Sequence, residues 1–153
     1  MLYAETVAPS GNLAMQTTLA TLIKQAERRV QARLENLLES SELSVEQWRV
    51  LEILGDGEGR AMTELAGEAL LNLPALSKMV DRMVSRSLIF RAPDATDRRK
   101  VLVFASDRGL DLYRRLKPEV DACHAGIDAA LGSKRAGELK QLLAHLIEGT
   151  AAA

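Results

Sequence analysis

A group of charged side chains lies in residues 91–104, where the sequence reads RAPDATDRRKVLVF. Between two short apolar runs, this segment holds two acids and three consecutive bases: Asp94, Asp97, Arg98, Arg99 and Lys100. Lysine and arginine at the tip of a hairpin can pair with phosphates, and arginine can enter a narrow minor groove, where the electrostatic potential of DNA is strongly negative. The chemistry that this loop could perform is therefore nucleic-acid binding.

The charge of the chain is unevenly distributed. The net charge is −1, yet residues 72–100 contain seven bases and three acids and so carry +4, which leaves −5 on the remainder. A basic segment on an acidic body is expected of a protein with a polyanionic partner. An ordinary solvated surface would also account for these charges, and their distribution alone does not decide between the two.

Catalytic chemistry finds little support in the residue pattern. Cys123 and His124 are adjacent on a predicted helix, so their side chains point ~100° apart and do not form a nucleophile–base pair. His145 is distant in sequence, and we find neither a glycine-rich phosphate loop nor a paired-carboxylate motif. The sequence therefore predicts a protein that is not an enzyme.

Metal and redox chemistry are also weakly supported. His124 and Asp128 are four residues apart and could share a helical face, with Asp121 and Cys123 nearby. Without further clustered ligands this pattern is weak, so we predict no metal and no cofactor. A redox role would rest on Cys123 alone, and a buried small hydrophobic residue is the default interpretation. The single cysteine excludes an intrachain disulfide, and we find neither a signal peptide nor ~20 consecutive apolar residues, which predicts a cytoplasmic protein.

Two predicted helices lie upstream of the basic segment. The first spans residues 12–39, with Asn12 as its N-cap and one apolar stripe along its length. The second opens with a capping box formed by Ser44 and Gln47 and stops at the glycines of residues 55–59.

A helix-turn-helix pattern follows. Arg60–Met62 reads as a brief strand, and Thr63 caps a short helix that ends near Ala69. The next helix begins after Asn72, with Pro74 in its first turn, where a missing N–H costs nothing. Its apolar residues form the predicted buried stripe: Leu73, Leu76, Val80, Met83 and Val84. The opposite side is mostly polar: Ala75, Ser77, Lys78, Asp81, Arg82 and Ser85.

Two strands, LIFRA and VLVFA, flank the charged loop. A long helix capped by Ser106 follows, which Pro118 is expected to kink, and a last helix runs from about Ser133 to Gly149. The first and last helices carry leucine stripes that one small subunit has trouble burying alone. These stripes predict a partner chain.

The order of helix, short helix, helix and basic hairpin is the plan of a winged helix-turn-helix. The second helix of such a unit enters the major groove, and the hairpin can reach the neighbouring groove. We therefore predict a mainly α fold, a winged helix-turn-helix with a small β-hairpin wing and long N- and C-terminal dimerisation helices. The predicted regions are a flexible N-terminus at 1–11, a helical dimerisation region at 12–40 and 106–149, and a DNA-binding domain at 41–105.

Several segments resemble the MarR family of bacterial transcriptional regulators: LSVEQWRVLEIL, MTELA, LSKMVDRMVSRSLIFR and DATDRRKVLVFASDRG. The resemblance covers about residues 13–147, and its most specific part is the pair Asp97-x-Arg99 after LIFR. It implies a homodimer that binds double-stranded DNA through one winged helix-turn-helix per subunit. It also implies a ligand-responsive regulator, a repressor at a pseudo-palindromic operator that small aromatic or phenolic effectors release.

The resemblance also implies particular DNA contacts. Four residues match the face of the recognition helix: Ala75, Ser77, Lys78 and Arg82. In the wing, Asp97 matches the acid that orients Arg99 for the minor groove, and Arg98 matches a variable basic tip position expected on phosphate. Two departures affect structural positions, since Ser87 stands where glycine is usual and Ala105-Ser106 where Leu-Thr is usual.

An effector site between the DNA-binding lobe and the dimer helices is implied as well. Trp48 and Met62, with residues of the first helix, could line such a space, although a tryptophan here is more often a core anchor. The alternative to a regulator is a helical protein-interaction module without specific DNA binding. That alternative would explain the long helices but not the charges of the wing.

Overall fold

The computed structural model describes residues 17–151, which form six α-helices and a two-stranded antiparallel hairpin. The elements in chain order are α1 (Leu19–Leu38), α2 (Val45–Ile53), α3 (Met62–Ala69), α4 (Leu73–Ser85), β1 (Ile89–Pro93), β2 (Val101–Ala105), α5 (Asp107–Leu131) and α6 (Ser133–Thr150). Short 3-10 turns at Glu39–Ser41 and Leu54–Asp56 follow α1 and α2. The predicted mainly α fold with a small hairpin wing is confirmed.

Helix α1 begins later than the sequence pattern predicts. Thr18 is its N-cap, and the Oγ1 atom of Thr18 accepts a hydrogen bond of 3.2 Å from the backbone N–H of Thr21. This hydroxyl satisfies one of the donors that a first helical turn leaves unpaired. A single helix from Asn12 to Glu39 is therefore wrong, while Asn12 itself and the N-terminus predicted to be flexible, residues 1–11, lie outside the described residues.

The starts of α2 and α3 are capped in different ways. The capping box of α2 is confirmed, because Ser44 and Gln47 each accept a hydrogen bond of 3.1 Å from the other's backbone N–H. Helix α3 has Ala61 as its N-cap, so the predicted Thr63 cap is wrong. The Oε2 atom of Glu64 accepts a hydrogen bond of 3.1 Å from the N–H of Ala61. A carboxylate inside the helix therefore binds the backbone at its start, because the alanine at the N-cap has no hydroxyl.

The brief strand predicted at Arg60–Met62 is reduced to a single bridge with β2. The N–H of Arg60 donates to the carbonyl of Val103 at 3.0 Å, and the N–H of Val103 donates back at 2.8 Å. This reciprocal pair attaches the turn before α3 to the hairpin. The bridge therefore holds the wing against the helix-turn-helix.

Helix α4 is capped as predicted, since the Oδ1 atom of Asn72 accepts a hydrogen bond of 2.9 Å from the N–H of Ala75. Three residues of the predicted stripe are fully buried: Leu76, Val80 and Met83. Leu73 does not belong to this stripe, because its side chain is 46% exposed, and Leu70 in the preceding turn is 80% exposed. The prediction that Leu73 is buried is therefore wrong, since no described element covers this end of the helix.

The turn from α4 into β1 contains a left-handed residue. Ser87 has a φ of +58°, and the N–H groups of Ser87 and Leu88 donate back to the carbonyls of Val84 and Met83 at 2.9 and 3.0 Å. This is a Schellman motif, in which glycine usually occupies the left-handed position because a Cβ atom crowds the backbone there. The departure from glycine at Ser87 thus falls where a side chain is unfavourable.

Ser87→Gly is expected to stabilise the protein by up to about 1 kcal/mol, because ~1–2 kcal/mol of left-handed strain outweighs ~0.5–1 kcal/mol of added chain entropy. Ser85→Gly is the matched control, since Ser85 lies within the right-handed helix α4 and glycine is unfavourable there. Urea unfolding at one protein concentration measures both changes. A Ser87→Gly protein no more stable than the wild type would contradict the expected strain.

Ser106 connects the wing to α5. Its Oγ atom accepts from the N–H of Gly109 at 3.0 Å, which confirms the predicted cap, and donates to the carbonyl of Ser87 at 2.6 Å. Its own N–H donates to the carbonyl of Leu88 at 3.0 Å. The departures at Ser87 and Ser106 are therefore in contact, and the serine supplies the hydroxyl that a threonine would supply in its place.

One continuous hydrophobic core joins α1–α5 and the hairpin. Helix α1 contributes Leu34 and Leu38 to this core, and α5 contributes Leu116 and Val120. Helix α5 continues through Pro118 as one element. The two long helices are consequently packed against the helix-turn-helix and do not form a separate body.

Helices α1 and α6 leave apolar side chains exposed to solvent. The largest are between 36% and 68% exposed: Leu19, Leu22, Ile23, Leu139, Leu142 and Ile147. On α6 the buried residue is Ala136. These helices therefore have apolar surface that the described chain does not cover. Among residues 17–151, we find no helix with the length and apolar character that crossing a membrane requires.

Candidate nucleic-acid interface

The residues predicted to contact DNA lie on two neighbouring surfaces, and all of them are exposed. Four are on α4: Ala75, Ser77, Lys78 and Arg82. Three are in the loop between β1 and β2: Asp97, Arg98 and Arg99. We call the first group the helix face and the second the wing tip. Since β1 follows α4 after a tight turn, both surfaces belong to one winged helix-turn-helix.

The structure separates the seven bases of the basic segment by what they contact. Arg86 has a structural role, because its guanidinium donates hydrogen bonds to the carbonyls of Glu42 at 2.6 Å and Ser41 at 3.2 Å. Arg91 pairs with Asp81. Within residues 17–151, the other five bases make no side-chain hydrogen bond or ion pair: Lys78, Arg82, Arg98, Arg99 and Lys100. These five cations, four of them on the helix face and wing tip, are available to an anionic partner.

The ion pair of Arg91 with Asp81 links the wing to the helix face. The Nη2 atom of Arg91 on β1 lies 2.6 Å from the Oδ1 atom of Asp81 on α4. Both side chains are more than a third exposed, so the pair contributes at most ~1 kcal/mol to stability. It also neutralises the acid that lies between the available bases of α4, which lowers its repulsion toward a polyanion.

The loop of the wing is held by its own polar groups. The backbone closes through a hydrogen bond of 2.9 Å from the N–H of Asp94 to the carbonyl of Lys100. The Oδ1 atom of Asp94 accepts from the N–H of Thr96 at 3.0 Å and from its hydroxyl at 3.1 Å. These hydrogen bonds from Thr96 hold the pKa of the Asp94 carboxyl below its usual value. Asp94 is therefore an ionised, structural residue of the loop.

Asp97 contacts the backbone of Arg99. Its Oδ1 atom accepts a hydrogen bond of 3.1 Å from the N–H of Arg99, and the described residues include no ion pair between the two side chains. Among the described residues, Asp97 and Arg99 therefore do not form a simple salt bridge within the loop. Because Asp97 accepts from the backbone N–H of Arg99, it fixes the direction in which the Arg99 side chain extends from the loop. The guanidinium of Arg99 remains unpaired.

An apolar groove of about 530 Å³ lies between α1, the start of α2 and α6. Its deeper wall includes Val30, Leu34 and Val45, and the one base among its lining residues is Arg49. Arg49 is half-buried and donates to the carbonyl of Ala69 at the end of α3, at 3.4 Å. The groove therefore combines apolar walls with one guanidinium and one carboxylate, that of Glu27, and sequence reasoning did not single out Arg49.

Neither residue proposed for an effector site lines this groove. Trp48 is 2% exposed and stacks on Tyr113 with 5.5 Å between the ring centroids, so it is an anchor of the core. Met62 is half-buried against the same core. Their role in effector binding stays a prediction, whereas residues of the first helix do line the groove.

The residues considered for redox or metal chemistry are dispersed. Cys123 is half-buried and packs against the core, and His124 beside it is exposed. Asp128 pairs with Lys140 of α6 at 2.5 Å. In the part of the chain that the structure describes, no three potential ligands come together as a metal site.

Comparisons with known proteins agree with this architecture. Residues 41–100, which contain α2, α3, α4 and the wing loop, match a family model described as MarR family. The chain is 27% identical over 122 residues to the HTH-type transcriptional regulator FarR of Neisseria gonorrhoeae, covering 80% of this chain and 84% of that protein.

Two solved structures share the fold. The transcriptional repressor CouR bound to a 23-mer DNA duplex has a TM-score of 0.78 and 27% identity, and the match covers 90% of this chain and 96% of CouR. NadR in complex with 4-hydroxyphenylacetate has a TM-score of 0.71 and 25% identity, with 85% and 92% of the two chains covered. The chain therefore resembles regulators of the MarR family, both in the matched segment and in its fold.

Proposed function

We propose that this protein is a DNA-binding transcriptional regulator, a repressor that binds a pseudo-palindromic operator as a homodimer, and not an enzyme. The observation that carries the proposal is the set of four unpaired bases on the helix face and wing tip. They lie on a fold that, in CouR, is bound to a DNA duplex. A protein-interaction module would have no use for cations placed in this way.

The helix face suits the major groove. Ser77 can donate to or accept from a base edge, and Lys78 and Arg82 can donate to guanine or to phosphate. The small side chain of Ala75 allows the helix to approach the DNA closely. The wing tip suits the adjacent minor groove, with Arg99 entering it and Arg98 on phosphate. Both surfaces would bind one half-site.

Selection of genomic fragments by the purified protein tests the proposal. The wild type is expected to enrich a pseudo-palindromic duplex and to bind it with an affinity that falls steeply as salt rises. Lys78→Ala combined with Arg82→Ala is expected to weaken that binding by roughly 100-fold, from about 1–3 kcal/mol per lost contact.

The matched control is Lys134→Ala combined with Arg135→Ala, which removes the same charge from the start of α6. This control is expected to bind within a few-fold of the wild type. Equal losses in the two double variants would indicate a general charge effect, and failure to enrich any duplex would favour the interaction module.

The homodimer is proposed from the uncovered apolar side chains of α1 and α6. A two-fold interface buries the same patch on both subunits, and it would place two recognition helices about one DNA turn apart, roughly 34 Å. We therefore expect a dimer in sedimentation at micromolar concentration. Leu142→Glu combined with Ile147→Glu should shift it to a monomer, because both side chains are about two-thirds exposed in the single chain. A wild type that sediments only as a monomer would refute the proposed interface.

We further propose that a small aromatic or phenolic acid is the effector and that it enters the apolar groove beside Arg49. The groove offers apolar walls for a ring and one guanidinium for a carboxylate. NadR, in its complex with 4-hydroxyphenylacetate, provides a relative that binds a ligand of this class. The groove also lies between α1, α6 and the start of α2, where a bound ligand can affect the DNA-binding lobe.

Arg49→Ala is expected to raise the concentration of 4-hydroxyphenylacetate that releases DNA by roughly tenfold or more, because a charge-assisted hydrogen bond contributes about 1.5–3 kcal/mol. Release is measured by fluorescence anisotropy of a labelled duplex. Arg33→Ala is the control, since Arg33 is exposed on α1 and does not line this groove. If both variants respond like the wild type, Arg49 does not bind the carboxylate.

A further inference from the structure

The first turn of α4 presents an apolar surface that no described element covers. Leu73 is 46% exposed, and Pro74 and Ala75 next to it are exposed as well. Leu70, in the turn just before the helix, is 80% exposed. Single exposed leucines are common on proteins, but four exposed apolar side chains within residues 70–75, at one end of a functional helix, indicate a contact surface.

This surface continues the helix face defined above. Residues four apart lie one above the other on a helix, so Leu73 precedes Ser77 and Pro74 precedes Lys78 by one turn each. The polar and basic residues thus occupy the middle of α4, and the apolar residues occupy its N-terminal end.

The side-chain oxygen nearest to this end is already engaged. The Oδ1 atom of Asn72 accepts the hydrogen bond from the N–H of Ala75 and so caps the helix, while its amide nitrogen keeps its two donors. The exposed side chains of the first turn itself, Leu73, Pro74 and Ala75, are apolar. These three can contribute contact area but not hydrogen bonds.

In helix-turn-helix proteins, the N-terminal residues of the recognition helix contact base edges in the major groove. Most groups on those edges are hydrogen-bond donors and acceptors, and the apolar group that distinguishes one base is the 5-methyl group of thymine. We infer that Leu73, supported by Pro74 and Ala75, contacts a thymine methyl group in each half-site and is a specificity-determining residue. The inference rests on the proposed DNA-binding function and identifies a base that the helix reads.

The test replaces thymines of the selected duplex one at a time by deoxyuridine, which removes the methyl group and retains the pairing. We expect one thymine per half-site whose replacement weakens wild-type binding about fourfold, from the ~0.8 kcal/mol of one buried methyl-sized group. Leu73→Ala should bind the thymine and deoxyuridine duplexes equally at that position. Leu73→Met should retain much of the discrimination, because methionine has a similar volume.

The control is Leu131→Ala, a leucine of similar exposure at the far end of α5, which should discriminate as the wild type does. Thermal melts of the variants establish that each is folded. Specific binding with no thymine sensitive to demethylation, or with the same sensitivity in Leu73→Ala, would overturn the inference and leave the proposed function intact. Failure of the wild type to select any duplex would overturn both.

Discussion

Arg99→Ala is expected to weaken binding to the selected duplex by roughly tenfold or more, from the ~1–3 kcal/mol of a specific arginine contact, and to flatten the preference for A·T pairs that flank each half-site. The physical reason is that A·T-rich sequences narrow the minor groove and deepen its negative potential, which an inserted guanidinium senses without a base contact. The guanidinium of Arg99 has no partner in the described chain, so it needs no rearrangement before it enters the groove.

Arg98→Ala is the matched control for this effect. Arg98 is the neighbouring base, is exposed as well, and has its expected position on phosphate. Loss of a phosphate contact should weaken all duplexes about equally and reduce the salt slope by roughly one unit. Anisotropy titrations with the selected duplex and a scrambled duplex at two salt concentrations separate the two. Identical profiles for the two variants would contradict a minor-groove role for Arg99.

The hydrogen bond of Asp97 allows a sharper test than a charge argument. Asp97→Ala removes both the negative charge and the acceptor for the N–H of Arg99, whereas Asp97→Asn removes the charge and retains an acceptor oxygen. If Asp97 acts by shaping the loop, Asp97→Ala binds more weakly and Asp97→Asn binds at least as tightly as the wild type. If Asp97 only repels DNA, both variants bind more tightly.

Helix caps were the most predictable part of this fold. The caps at Ser44, Asn72 and Ser106 depend on hydrogen bonds to backbone groups three residues away, so the local sequence contains the information. The cap of α3 was predicted wrongly because its acceptor belongs to Glu64, inside the helix, and Thr63 looked like the better cap residue. The local sequence predicts a helix cap reliably only when a single nearby side chain can accept the hydrogen bond.

The sequence did not reveal which apolar side chains are covered by other elements of the fold. Leu73 has the spacing of a buried residue, yet periodicity states only where a side chain points and not whether another element lies there. The stacking of Trp48 on Tyr113 likewise joins residues far apart in the chain. At the wing, the sequence suggested that Asp97 acts on Arg99, but the turn geometry selects the N–H as its partner.

Among the described residues, Gly109 is the glycine at which an added Cβ atom would come closest to the backbone. It is buried in the first turn of α5, and a Cβ atom added to it would lie 2.0 Å from the carbonyl oxygen of Leu88. That carbonyl belongs to the backbone and accepts the hydrogen bond from the N–H of Ser106, so it cannot move independently. Glycine early in a helix is a signal in the sequence for such a close approach, because it costs ~1 kcal/mol relative to alanine.

Gly109→Ala is therefore expected to destabilise the protein by about 3 kcal/mol or more, at the upper end of what overpacking usually costs. The added methyl group forces α5 away from the start of β1 and stretches the hydrogen bonds that join Ser106 to Ser87 and Leu88. Since these bonds hold the wing to α5, DNA binding should also weaken, even at temperatures where the protein is folded. Urea unfolding at a constant protein concentration measures the first effect, and anisotropy measures the second.

Gly126→Ala is the matched control in the same helix, because an added Cβ atom there meets nothing within 4 Å. Alanine is favoured over glycine inside a helix by about 0.5–1 kcal/mol, so this variant should be slightly more stable than the wild type. The two substitutions are chemically identical and have opposite expected signs, which separates the contact with Leu88 from helix propensity. A Gly109→Ala protein as stable as Gly126→Ala would mean that the wing and α5 are not held together by this close backbone contact.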